Sequence, residues 1–464
     1  MKAENRGNEG CLQKDSVERE GDAGAQSTGL GEGKERGGAN GLLEAILNRE
    51  NLNEAYKQVK RNHGAPGIDG MTVEAALPWL KEHKEELLQS IREGRYQPRP
   101  VRRKEIPKPD GGVRKLGIPT VVDRVIQQAI AQQLQGIWEP AFSDYSYGYR
   151  PNRSAQQAIG RVKRYAEEGY RYAVSIDLSK YFDTLNHDKL LDMLHRRIQD
   201  KRVLRLIKKY LKSGVMENGV VHKTEEGSPQ GGPLSPLLAN VYLNEFDWEM
   251  QRRGVKMVRY ADDIVVFAKS KRAAERLLES SGRYLEGKLK LKMNAEKSKV
   301  TGICANRDFK FLGFCLGKNG SGIYIRTHRK SLIKAKKKLI LLTKRNQGNN
   351  VRYVMKKVEI YMRGWLGYFH VAEMRRIMKS WDEWLRRRFR MYIWKQWKKP
   401  KKRIESLEKL GIPADKAYQW GNTRLGYWRI AGSPILSCSI TNKILAVAGY
   451  YSILDHYEYM HSND

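Results

Sequence analysis

Three aspartates have the types and spacing to do chemistry together. Asp177 follows the apolar run Ala173-Val174-Ser175-Ile176, and Asp262 and Asp263 sit between Met257-Val258-Arg259-Tyr260 and Ile264-Val265-Val266-Phe267. Two β-prone runs around so short a polar link read as a tight hairpin, whose tip exposes carboxylates that an apolar strand would exclude. If Asp177 ends a neighbouring strand, three carboxylates converge on one point. Negative charges that close repel one another unless cations hold them. Mg²⁺ does this, taking one or two carboxylates plus substrate phosphate oxygens in octahedral geometry. Two such ions activate an attacking hydroxyl and stabilise a leaving pyrophosphate in line, the chemistry of nucleotidyl transfer. The plainer alternative, Asp-Asp as a solvated turn, rests on the turn preference of Asp. The strongly apolar flanks weigh against it.

The elements that must position these groups follow from pattern. Leu42, Leu43, Ile46 and Leu47 fall at helical spacing, so order is expected to begin near Gly41. Gly64-Ala65-Pro66-Gly67-Ile68-Asp69-Gly70 is a loop by its Gly and Pro content. Residues 71–95 read as helix, 101–119 as two short strands around Pro107-Lys108-Pro109-Asp110-Gly111-Gly112, and 121–137 as helix. Strand-like runs return at 172–178 and 255–269, with helices between them. From Ser331 the pattern changes to long basic helices, and a mixed segment closes the chain from Gly411. Strands alternating with helices, then helices alone, predict a mixed α/β (α+β) body with a helical appendage.

Charge points to the partner. The 464 residues carry 87 Lys and Arg against 52 Asp and Glu, a formal charge of +35. Such a field collects polyanions, so nucleic acid is the first partner to consider. No run approaches the roughly 20 apolar residues needed to cross a bilayer, so no membrane residence is expected. Cys11, Cys304, Cys315 and Cys438 are scattered, with no Cys-x-x-Cys pair. That spacing gives neither a structural zinc site nor a disulfide framework and fits a reducing cytoplasm. Residues 1–40 hold almost no large apolar side chain and are expected to form a disordered tail.

Four segments follow one another along the chain: Asp177-Leu178-Ser179-Lys180-Tyr181-Phe182-Asp183, Gly227-Ser228-Pro229-Gln230-Gly231-Gly232-Pro233-Leu234-Ser235-Pro236, Tyr260-Ala261-Asp262-Asp263 and Phe309-Lys310-Phe311-Leu312-Gly313-Phe314. In that order they resemble the first catalytic motif, the Pro-Gln-Gly motif, the Tyr-x-Asp-Asp box and the primer grip of reverse transcriptases. The resemblance implies a right-hand polymerase fold, with fingers and palm over 41–320, an all-helical thumb or maturase domain over 321–410 and a short DNA-binding region over 411–464. It implies Asp177, Asp262 and Asp263 as the catalytic, metal-binding triad for two Mg²⁺ ions, with Leu178 in the metal and nucleotide sets. It also implies Lys108 and Arg114 on the triphosphate, Gln230 beside the incoming nucleotide and template base, and Phe182 as the ring that leaves no room for a 2′-hydroxyl. Phe311, Leu312 and Gly313 would form the primer grip, and Lys297 or Lys299 would give a proton to pyrophosphate.

These segments also have physical readings of their own. Gly231 and Gly232 let the backbone approach a ligand where a Cβ would clash. Pro233 and Pro236 suit the first turn of a helix whose apolar face is Leu234, Leu237, Leu238, Val241, Tyr242 and Phe246. Arg grips phosphate oxygens with two parallel hydrogen bonds, while Lys supplies a compact charge.

The stretches Ile106-Pro107-Lys108-Pro109-Asp110-Gly111-Gly112, Asp144-Tyr145-Ser146-Tyr147-Gly148-Tyr149-Arg150-Pro151 and Arg363-Gly364-Trp365-Leu366-Gly367-Tyr368-Phe369 are similar to the maturases encoded by bacterial group II introns. That branch implies an RNA-directed DNA polymerase that assists intron splicing and copies the intron during retrohoming. Its partners would be group II intron RNA, an RNA template with DNA primer, target DNA and deoxynucleoside triphosphates. Residues 331–403 hold 23 Lys and Arg against 4 Asp and Glu, a charge of 23 − 4 = +19. There Trp381, Trp384, Trp394 and Trp397 are expected in the core, with Arg386, Arg387, Arg388, Arg390 and Lys395 facing nucleic acid. The zinc-supported His-Asn-His endonuclease of many relatives has no candidate ligands here, so second-strand cleavage is not expected. The alternatives are a retron or diversity-generating reverse transcriptase and a non-catalytic RNA chaperone.

Overall fold

The computed structural model describes residues 41–107, 112–217, 220–222, 225–228, 231–305 and 308–462. The expectations for the 1–40 tail, for Lys108 and for Gln230 lie outside the described residues. In chain order the strands are β1 (Val101–Pro107), β2 (Val113–Ile118), β3 (Tyr172–Ile176), β4 (Val215–Glu217), β5 (Val220–His222), β6 (Met257–Tyr260), β7 (Asp263–Ala268), β8 (Lys299–Gly302), β9 (Phe314–Asn319) and β10 (Gly322–Thr327).

Alternation along the central strands explains why their runs are apolar on both faces. β6, β7, β3 and β8 lie side by side in that order, all antiparallel. Because successive side chains point to opposite faces, Val174, Ile176, Ile264 and Val266 enter one core while Ala173, Val258, Val265 and Phe267 enter another. The first core is completed by the helices Val121–Trp138 and Ser235–Arg252. The second takes the helix Ala155–Glu167 and the helical C-terminal part of the chain. A sheet covered on both sides offers solvent only its strand ends, which is where the aspartates sit.

A second sheet, ordered β2-β1-β4-β5, carries the fingers. β1 pairs antiparallel with β2, Ile106 opposite Arg114, and parallel with β4 at Val101 and Arg102. The stretch 71–95 forms two helices rather than one, Val73–Glu82 and Lys84–Arg92, separated at His83.

Beyond the β9–β10 hairpin come the helices Arg329–Leu342, Val351–Phe369 and Arg375–Gln396. Short helices follow from Pro400 to His461, and their Leu407, Ile430, Leu436, Leu445 and Ile453 share the second core with Phe389 and Trp394. One buried carboxylate fixes that union. Asp382 accepts hydrogen bonds from the Tyr450 hydroxyl at 2.6 Å, the Ser452 hydroxyl at 2.9 Å and the Ile453 and Leu454 backbone N–H groups at 3.1 Å. Asp382→Ala leaves these donors unmet, so we expect a loss of about 3 kcal/mol. Chemical denaturation would measure it, with amide exchange rising first across 450–461. Among the described residues no helix is long and apolar enough to cross a membrane.

Candidate active site

The hairpin register brings the acids together. Tyr260 opposite Asp263 is the last β6–β7 pair, so Ala261 and Asp262 alone make the turn. Ala261 takes φ 56, the left-handed first position that a tight hairpin turn requires. On the other side of β7, Ile176 faces Ile264, so Asp177, one residue on, comes beside Asp263 at the same sheet end. Residues opposed across an antiparallel ladder lie roughly 5 Å apart. The Asp177 backbone is fixed there, its N–H donating to Ser298 Oγ at 3.1 Å and its carbonyl accepting from Asn294 N at 2.8 Å.

Burial within the cleft walls pushes the Asp262 carboxyl up, and neighbouring Asp177 adds to this, while Arg114 and Arg259 pull it down. Lys297 Nζ stands 4.0 Å from Asp177 Oδ2. Among the described residues no three His, Cys, Asp or Glu side chains are already gathered into a metal cage. The acids are neighbours by register rather than a closed shell. Hard divalent cations such as Mg²⁺ suit this all-oxygen, open arrangement, because they keep water and take substrate phosphate for the remaining positions.

What holds the tip is a residue that the motifs do not single out. Arg259, in the middle of β6, is fully buried and every N–H of its guanidinium finds an acceptor. Nε donates to Asp247 Oδ1 at 2.8 Å, Nη1 to Asn240 Oδ1 at 2.9 Å and to the Ala261 carbonyl at 3.0 Å, and Nη2 to Ser146 Oγ at 2.9 Å and to Asp247 Oδ2. An arginine inside Met257-Val258-Arg259-Tyr260 is the sequence signal, since a buried cation demands a partner. The strand-like segment Tyr145–Tyr147 runs along β6 through Arg259 N to Tyr145 O and Tyr147 N to Arg259 O, each 2.8 Å. Gly148 then passes so close to the turn that a Cβ would lie 2.4 Å from Ala261 N. Gly148→Ala must displace the catalytic hairpin, and misplacement of about 1 Å costs roughly 100-fold in rate. Primer-extension rates beside a thermal melt would separate that loss from unfolding. Next to it Tyr149, half exposed at φ 55, has its hydroxyl pushed up by burial and then by the charge of Asp262.

The remaining expected residues divide. Phe182 is half-buried in the short turn after Asp177, its ring edge-on to Tyr181 at 5.3 Å. The Leu178 side chain is buried in the first core, so only its main chain can serve a metal or nucleotide. Gly231 and Gly232 do need close approach, but to the protein itself. A Cβ would lie 2.5 Å from the Gly117 carbonyl and 2.4 Å from Gln127 Oε1, respectively. Phe311 and Phe314 pair around Leu312 (φ 50) and Gly313 (φ 82), and the Tyr368 hydroxyl donates to the Leu312 carbonyl at 3.0 Å. The grip turn is thus held by a thumb helix.

The expected cation row of the thumb needs correction. Arg387 donates to the Trp428 carbonyl and stacks on its ring, Arg388 binds Thr343 and the Ile340 carbonyl, and Arg390 binds the Ile440 carbonyl and Asn442. Arg386 faces Asp382 at 3.8 Å, and Lys395 lies over Tyr427. All five are partly buried, Arg387, Arg390 and Lys395 against the C-terminal segment, Arg388 against the end of the helix Arg329–Leu342 and Arg386 beside Asp382 of its own helix. Fully exposed cations lie on the two preceding helices, among them Lys337, Lys338 and Arg352, and at Arg375, Arg376 and Lys379 of the same helix. Trp381 and Trp394 are core, while Trp384 and Trp397 pack partly buried against it.

Acids at the end of a doubly covered palm sheet, a fingers hairpin and a helical thumb define a nucleic-acid polymerase of the right-hand class. Residues 106–316 match the family of reverse transcriptases (RNA-dependent DNA polymerases), and residues 332–411 match the group II intron maturase-specific domain. The chain belongs to the reverse transcriptase family, in its group II intron maturase branch. It is 36% identical to the protein YkfC of Escherichia coli (strain K12) over 59% of this chain and 81% of that one. It is 31% identical to the group II intron-encoded protein LtrA of Lactococcus lactis subsp. cremoris over 61% of this chain, spanning 57% of LtrA.

Proposed function

We propose that this protein copies RNA into DNA by nucleotidyl transfer supported by two Mg²⁺ ions, and that it binds group II intron RNA to assist splicing and to copy the intron during retrohoming. The observation that carries the polymerase reading is the register that sets Asp177 beside the Asp262-Asp263 tip. When bound, the cations would activate the primer hydroxyl and stabilise the leaving pyrophosphate. The chain's own residues do the rest. Asp177 and Asp262 hold the cations, with Asp263 adjoining, Arg114 offers a guanidinium to the triphosphate, and Phe182 lies under the sugar. Lys297, at 4.0 Å from Asp177, is the nearer candidate to protonate pyrophosphate. The basic exposed faces of the thumb suit duplex and intron RNA, with affinity that falls steeply with salt while shape supplies specificity. Target DNA would be a further substrate of the same basic surface.

The test is primer extension on poly(rA)–oligo(dT) with dTTP and Mg²⁺. DNA synthesis by the wild type is the expected result. A folded, RNA-binding wild type that makes no DNA overturns the polymerase reading in favour of a splicing factor that only binds.

A further inference from the structure

We infer that His187 is a positioning residue for sugar selection, acting through the strap 227–228 on the backbone of Phe182; the inference rests on the polymerase reading above. Phe182 lies in the short turn Tyr181–Asp183, between the catalytic strand and the helix His187–His195. One side of that turn is anchored by the Tyr181 hydroxyl, which donates to the Ala239 carbonyl at 2.6 Å. The other side is held by the strap that leads into the Pro-Gln-Gly segment. Ser228 N–H donates to the Phe182 carbonyl at 2.6 Å, and Gly227 N–H donates to the Leu185 carbonyl at 2.8 Å.

The strap is itself pinned at both residues. Ser228 Oγ donates to Ser235 Oγ at 2.8 Å, and His187 Nε2 lies 2.6 Å from the Gly227 carbonyl. Facing a carbonyl, Nε2 must be the donor. The ring is buried, at 4% exposure, and its Nδ1 has no hydrogen-bond partner among the described residues. A ring chosen only to fill space would be apolar there, since a buried unmet nitrogen is costly. Gly227 adopts φ 89, and a Cβ on it would lie 2.8 Å from the Phe182 carbonyl oxygen and from the Asp183 carbonyl group. There is no slack between strap and gate, so a shift at Gly227 becomes a shift of the Phe182 ring. A steric gate is sensitive to such shifts, because it rejects a 2′-hydroxyl by contact distance alone.

The experiment compares incorporation of dTTP and UTP on poly(rA)–oligo(dT), as the ratio of their kcat/KM values. His187→Ala is expected to lower the preference for the deoxynucleotide about tenfold, chiefly by improving UTP use. His187→Gln, whose amide nitrogen reaches where Nε2 stands, should restore most of it. Phe182→Ala should abolish the preference, and His187→Ala in that background should change nothing further. Equal losses with both nucleotides and an unchanged ratio would mean that His187 is only structural, and would overturn the inference. Where His187→Ala fails to fold, Gly227→Ala decides: a reduced ratio supports the strap, and a wild-type ratio overturns it. A wild type that uses neither nucleotide would instead remove the polymerase reading beneath.

Discussion

Asp262→Ala is expected to abolish RNA-templated DNA synthesis while leaving the fold and the affinity for structured RNA in place. The side chain sits at the tip of a two-residue turn, exposed and outside the hydrophobic cores. Its removal relieves the repulsion with Asp177 that helps push its carboxyl up, so stability should hold or rise slightly. Loss of a metal ligand removes several kcal/mol of transition-state stabilisation, or about 1000-fold or more in rate. Asp177→Ala should behave alike, and Asp263→Ala gauges how directly the third acid takes part. Primer extension beside an intron-splicing assay measures both arms. Splicing needs binding rather than polymerisation, so it should persist. Equal loss of splicing by a folded Asp262→Ala protein would refute that separation of roles.

Arg259→Met is expected to damage both stability and catalysis, through different bonds. It strands the Asp247 carboxylate in the core, and breaking a buried pair from one side costs about 3–5 kcal/mol. The melting temperature should fall by about 5 °C. It also removes the donor to the Ala261 carbonyl, which steadies a left-handed alanine at the catalytic turn. The paired change Arg259→Met with Asp247→Leu tells the two effects apart. Replacing a buried ion pair by apolar side chains is often neutral or stabilising, so the melting temperature should recover. Synthesis should stay low, because Ala261 still lacks its partner. Recovery of full activity in the double variant would show that Arg259 serves stability alone.

The placement of the three candidate acids at one sheet end was legible along the chain. Acid residues at the ends of apolar runs can only be strand termini or hairpin tips, and local pattern carries that information. The helix face of Leu234, Leu237, Leu238, Val241, Tyr242 and Phe246 was legible for the same reason, and those side chains are buried. Periodicity reports which face of an element is apolar, and no more.

What covers that face is a tertiary matter. The arginines at 386–390 have the composition of a phosphate-binding row, yet Arg387 and Arg390 bond carbonyls of the C-terminal segment and Arg388 bonds the end of the helix Arg329–Leu342. Nothing in the local sequence distinguishes a cation that meets RNA from one that meets a carbonyl 40 or 50 residues away. Gly231 shows the same limit. The sequence by itself determined that the backbone must come close to something there, and only the tertiary structure decided that it is the Gly117 carbonyl of the fingers. Likewise the candidate acids could be picked out from sequence, while the support of their hairpin by Arg259, Asn240, Asp247 and Gly148 was decided by the fold. Ligand chemistry needs particular side chains, which local sequence displays, whereas positioning needs contacts between residues far apart, which only the folded chain brings together.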